Sequence, residues 1–232
     1  MTLSDLAFAC FMYSNLSDYD DSYMSFLRYT NYNPDLNKKS HRKALLIWLN
    51  KWGCRQFAVE YHDHVSAEIE YWYAEFRDRL FDMNRNLLNL TDQEIDVSID
   101  AYDALSARIA SYRKRNRHKF PVEIGPTGAS KILFAIRNKA LIPWDDPIRQ
   151  HYSYDGSGVS YRKYLIKSRS ILAILNTLCL KNGITLEHLP GELNRSSSTP
   201  LKLIDEYQWI AITKGIKVPS GDNFSKWARW VQ

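Results

Sequence analysis

The chain has 232 residues, 45% of them apolar, with 15 Tyr, 9 Phe and 7 Trp, enough for one large core or two small units sharing one. Its 9 Gly and 8 Pro argue against a loop-rich all-β fold. With 31 Lys and Arg against 26 Asp and Glu, the net charge of +5 is a mild pointer to a polyanionic partner.

Read in chain order, the pattern is helical. Residues 4–13 are apolar, with Thr2 or Ser4 as the cap. Ser40 is placed to cap a helix whose apolar stripe is Leu45, Leu46, Leu49 and Trp52. Residues 65–80 form a long aromatic and charged helix. Thr91 and Glu94 make a capping box, in which each side chain satisfies a free backbone N–H of the other. Ile95, Ile99, Tyr102, Leu105, Ile109 and Tyr112 follow at steps of three and four, which predicts one amphipathic helix through Tyr112. Further helices are predicted over 160–180, 200–213 and 223–230, and no alternating strand series stands out. The fold class expected is all-α, a single unit over 1–232.

Residues 113–119 read RKRNRHK. Such a run is either a solvated helix end, where cations favour the dipole, or a phosphate grip. It leads into Pro121, Val122, Glu123, Ile124 and then GPTGASK, with a helix expected to begin near Thr127. Gly125 and Gly128 permit close approach of the backbone, and free N–H groups at a helix start attract phosphate. The other reading is an ordinary glycine turn between two helices.

This stretch resembles the helix-hairpin-helix DNA glycosylases over about 30 residues. Ile124 and Gly125 stand for the hairpin's second Val-Gly, and Gly128 and Ala129 for its Thr-Ala. An apolar helix over 132–136 follows, and the run Pro143, Trp144, Asp145, Asp146, Pro147, Ile148, Arg149 stands where that family carries its catalytic aspartate. Asp145 lies twenty residues after Gly125, the family's spacing. The hairpin's Leu-Pro and first glycine are replaced by Pro121, Val122 and Glu123.

The resemblance implies two interleaved helical lobes, near 1–60 plus 185–232 and near 61–184, with a helix-hairpin-helix element and a central cleft. It implies a DNA glycosylase that excises a base from double-stranded DNA. Thr127 stands where strand-cutting members often hold lysine and cannot form a Schiff base, so the activity expected is monofunctional. Asp145 is the expected catalytic carboxylate, stabilising the sugar cation as the glycosidic bond breaks. Asp146 before Pro147 is read as the N-cap, although both aspartates could serve only the helix start. A flipped base needs a pocket, for which Trp144, His151, Tyr152 and Tyr154 are the candidates, each equally at home in a core. Gly125, Thr127, Gly128, Ser130, Lys131, Arg113, Lys114, Arg115 and Arg117 are the candidate phosphate contacts. The base could be alkylated, oxidised, deaminated or a hypermodified base of foreign DNA, the last implying antiviral defence. The alternative is a non-catalytic helical module that only grips DNA, and a third is a helical protein with no nucleic-acid role.

Other chemistry finds less footing. His62 and His64 are two residues apart and share no helix face, so no metal site is expected. No GxSxG elbow and no GxxxxGK[ST] loop occurs. The basic segment 162–169 is either a phosphate contact or a surface face. Cys10, Cys54 and Cys179 are scattered without a CxxC pair, which fits a reducing interior and argues against zinc ribbons. The first residues lack the basic and apolar parts of a signal peptide, and no run of about 18 apolar residues is present. A cytoplasmic monomer without cofactor or membrane contact is therefore expected.

Overall fold

The computed structural model describes residues 1–115 and 118–229. The chain runs through α1 (Leu3–Leu16), α2 (Tyr19–Tyr29), α3 (Lys39–Lys51), α4 (His62–Phe76) and α5 (Asp92–Ser106). A β-hairpin follows, β1 (Ile109–Arg115) and β2 (His118–Glu123). Then come α6 (Gly125–Ile136), α7 (Asp146–His151), α8 (Gly158–Lys181), α9 (Leu189–Glu192), α10 (Pro200–Gln208) and α11 (Gly221–Ala228). The fold is mostly helical, as expected, with this one small sheet among the described residues.

The helix starts obey local chemistry. Thr2 forms a capping box with Asp5, and Thr91 forms one with Glu94. Ser157 caps α8 and Thr199 caps α10. Ser40 does not cap α3, which starts at Lys39 with no side-chain cap. The apolar stripe of α3 is buried as its spacing predicts, with Leu45, Leu46, Leu49 and Trp52 all inside. Trp48 and Trp52 lie 4.7 Å apart and meet Tyr23 and Phe134 in an aromatic centre. The middle of α6, from Ile132 to Ile136, is buried throughout, so this helix is central. It packs on α5 and α3, while α1 packs on α10 and α5 on α8.

The stretch after α5 corrects the sequence reading. Ile109 and Tyr112 continue the helical spacing, yet the helix ends at Ser106 and both residues lie on β1. Tyr112 faces Pro121, Arg113 faces Phe120 and Lys114 faces Lys119 across the antiparallel pair. Two forces favour the strand. Pro121 lacks an N–H and blocks a helix, but an edge strand tolerates it. Tyr112 also docks on the start of α4, 5.7 Å from Tyr61 and 5.8 Å from His64 between ring centres. The Ile124 N–H closes the hairpin base by donating to the Arg108 carbonyl at 2.7 Å. The element before α6 is thus a β-ribbon rather than a tight turn between helices. Arg115 ends β1 opposite His118, and Arg117 lies outside the described residues. Trp230, expected to close the last helix, lies outside them too.

Candidate functional site

A cleft lined by described residues has a volume of about 660 Å³. One wall comes from the segment after α3, with Trp52, Arg55 and Gln56. A second comes from Thr127 and Lys131 on α6 and from the loop Pro143, Trp144, Asp145. Tyr13, Tyr19, Asp205, Trp209, Thr213 and Lys214 complete it, with Arg113 reaching in from β1.

Asp145 is held there by two hydrogen bonds. The Ile148 N–H donates to Oδ1 at 3.0 Å, and the Thr213 hydroxyl donates to Oδ2 at 2.9 Å. Asp145, and not Asp146, is therefore the N-cap of α7. Asp146 opens the helix as an exposed residue, bound by Arg149 and Gln150, each at 2.8 Å. The assignment of roles within the pair is reversed for capping, and both aspartates line the cleft. A capping carboxylate is fixed in direction by its backbone partner, which suits a group that must present charge at one point.

Several expected phosphate contacts are structural. The Trp144 N–H donates to Ser130 Oγ at 3.2 Å, and the Ser130 hydroxyl donates to the Thr127 carbonyl at 3.1 Å. Ser130 is fully buried, so it ties the aspartate loop to α6 and is not a phosphate contact. Gly128 is needed for packing. A Cβ there would meet Gln56 Nε2 at 2.8 Å and Phe57 Cζ at 3.0 Å, so the close approach is to protein. Gly125 has φ of +66°, the left-handed conformation that glycine adopts freely, and it turns the chain from β2 into α6. Thr127 and Lys131 do face the cleft, with Lys131 Nζ donating to the Trp52 carbonyl at 2.8 Å.

Of the residues expected to line a base pocket, only Trp144 borders the cleft. Trp144 is 1% exposed, stacks on Tyr164 at 5.3 Å and donates its indole N–H to the Pro126 carbonyl. Tyr152 and Tyr154 pack together at 5.7 Å, and with His151 they are absent from the cleft lining. The aromatic wall is instead Tyr13, Tyr19, Trp52 and Trp209. Trp209 meets Tyr13 at 5.2 Å and Tyr19 at 5.8 Å, both edge to face. A π-helical turn over Trp209–Thr213, a geometry common at functional sites, carries both Trp209 and Thr213 into the cleft.

Beneath this wall lies an ionic cluster that sequence reading missed. Lys202 is buried, with Nζ 3.1 Å from Asp205 Oδ2, 3.4 Å from Glu206 Oε1 and 4.2 Å from the Tyr13 ring centre. Arg195 donates to Glu206 at 2.7 Å and also binds Asp20. Burial pulls the Lys202 ammonium down, but Tyr13, Glu206, Asp205 and Asp20 outweigh it and hold Lys202 charged. Burial pushes the Asp205 carboxyl up to about 6 against the pull of Lys202, and Asp145 and Glu206 push the same way. The signal was the spacing of Lys202, Asp205 and Glu206, three and four apart on one helix face. Such a trio reads as a solvated surface unless its burial is known.

Comparison with protein-family models, curated proteins and solved structures finds no match for this chain. Among the described residues no group of three His, Cys, Asp or Glu side chains is placed to hold a metal ion. His62 is engaged by the Asn50 amide at 3.1 Å. No described helix is long and apolar enough to cross a membrane.

Proposed function

We propose that this protein is a monofunctional DNA glycosylase that excises a damaged or modified base and leaves an abasic site. The carrying observation is a fixed carboxylate, Asp145, in a cleft of about 660 Å³ that combines aromatic walls with the cations Arg55, Arg113, Lys131 and Lys214. That volume falls within the range of about 300–1,000 Å³ that encloses small ligands. A flipped base would stack on the Trp52, Tyr19 and Trp209 side, while the cations hold flanking phosphates. Asp145 would stabilise the sugar cation as the bond to the base breaks. In this reading the cleft lies between two lobes, near 1–60 plus 185–232 and near 61–184. Its lining residues come from both, which supports the division.

Hydrolysis without strand cleavage also fits the amines. A Schiff base needs a neutral amine free to attack. Lys202 is held charged in its carboxylate cluster, Lys131 is bound to the Trp52 carbonyl, and Lys214 lies over the Trp209 ring at 4.6 Å. A second reading, a module that grips DNA without chemistry, is favoured by one observation: both Asp145 oxygens already accept hydrogen bonds. Incubation with duplexes carrying modified bases, followed by alkali, separates the two. Breaks that appear only after alkali mark excision. Retention of DNA without breaks supports the gripping module, and the absence of both breaks and retention rejects a nucleic-acid role.

A further inference from the structure

Tyr112 divides the ribbon into two faces. Its ring rests on Tyr61 and His64, so its own face of β1 is turned toward the protein. Successive strand residues point to opposite faces, so Arg113 projects from the other side. Phe120 is the partner of Arg113 across the antiparallel pair, and directly opposed residues share a face. His118, two residues before Phe120, shares it too, with its ring 6.5 Å from the Phe120 ring. Arg113 lines the cleft that holds Asp145. The face that carries Phe120 is therefore the one that borders the cleft.

Phe120 is 51% exposed, and His118 is its one ring contact among the described residues. A single exposed ring needs no explanation by itself. Its surroundings supply one. Arg113, Lys114 and Lys119 are all exposed around it, and among the described residues none of them pairs with a carboxylate. Cations left without counter-charges select a polyanion over a neutral or basic protein surface. The ribbon thus presents an apolar ring and phosphate-binding charges together, at the rim of the cleft that holds the fixed carboxylate.

We propose that Phe120 inserts its ring into the base stack of a bound duplex, filling the space that the extruded nucleotide vacates. The role rests on the base-excision reading above, through its duplex-binding step. Extrusion breaks the stacking of the target base on both neighbours. An apolar side chain between base steps replaces part of that stacking and holds the duplex kinked. Arg113 and Lys119 neutralise phosphates beside the ring. Phe120 is a positioning residue: it keeps the nucleotide out of the helix and in the cleft, and it touches none of the atoms that react.

The test is fluorescence anisotropy with two labelled duplexes of one sequence, one intact and one with a single tetrahydrofuran in place of a nucleotide. The tetrahydrofuran leaves the gap open whichever base the protein removes. The wild type should bind the gapped stack about tenfold to a hundredfold more tightly than the intact duplex. Phe120→Ala should bring the two affinities within about twofold of each other and leave the salt dependence on intact duplex unchanged. Phe120→Leu should keep most of the preference, since leucine also wedges between base steps. Equal wild-type affinity for the two duplexes, or a preference that survives in Phe120→Ala, overturns the proposal. So does an equal loss on both duplexes, which marks a surface contact and not insertion. If Phe120→Ala does not fold, as circular dichroism would show, Phe120→Gln takes its place with the same expectation. No binding of either duplex by the wild type removes the excision reading and this role together. A preference that depends on Phe120, without excision of any base, upholds insertion and removes only the excision reading.

Discussion

At the residue scale the two adjacent aspartates do different work. Asn is itself a good N-cap, so Asp145→Asn preserves the start of α7 while removing the charge. Excision should fall by about two to three decades, the usual cost of losing one preorganised electrostatic group, with little change in melting temperature. Asp146→Asn removes the charge facing the mostly buried Arg149, but Asp146 is itself exposed and an Asn oxygen can still accept from Arg149, so activity and stability should change little. Single-turnover rates and thermal melts of the two variants check this. Trp144 belongs to the core. Trp144→Ala should therefore destabilise the protein by roughly 3–5 kcal/mol in chemical denaturation, a packing loss and not a change in base preference. That the aspartate pair starts a helix was legible from the proline behind it, but which of the two caps was not. Either of two adjacent aspartates before a proline can cap, and only the Thr213 hydroxyl and the Ile148 N–H distinguish them. Asp205 was hidden because charge spacing on a helix says nothing about which face is buried.

At the element scale, helices with polar caps and apolar stripes were readable, and the hairpin was not. Its cations and Pro121 break any alternating pattern, and Ile109 with Tyr112 happens to extend the helical rhythm of α5. The strand wins through tertiary docking of Tyr112 on Tyr61 and His64, which no local pattern encodes. The ribbon exposes Arg113 and Lys114 and puts Arg113 at the cleft. Replacing both with Ala should weaken DNA binding regardless of sequence. It should also reduce the salt dependence, by about 0.9 in log–log slope for each phosphate no longer neutralised. Fluorescence anisotropy across a salt series measures it, and an unchanged slope returns the ribbon to a solvated surface. Gly125→Ala forces a side chain into the left-handed region and should cost about 1–2 kcal/mol, visible as a lower denaturation midpoint.

At the scale of the whole molecule, the ionic cluster joins parts of the chain that are far apart in sequence. Arg195 bridges Asp20 on α2 to Glu206 on α10, and Lys202 reaches the rings of Tyr13 and Trp52. Lys202→Met would leave Glu206 short of a buried partner. It should destabilise the fold by about 3–5 kcal/mol, the range for breaking a buried pair on one side. Equilibrium denaturation of that variant would show it, and an unchanged midpoint would mean the cluster does not hold these helices together. The same cluster sits beneath the aromatic wall of the cleft, so stability and site geometry share residues.

The central claim is that the carboxylate of Asp145 serves base excision in this cleft. The most direct measurement is alkali-revealed strand breakage of the modified duplexes by wild type and Asp145→Asn in parallel. The account predicts breaks at the position of one modified base, only after alkali, with the wild type, and a rate about two to three decades lower with the variant. Breaks without alkali would contradict hydrolysis without strand cleavage. Equal rates for the two proteins would contradict the role of Asp145.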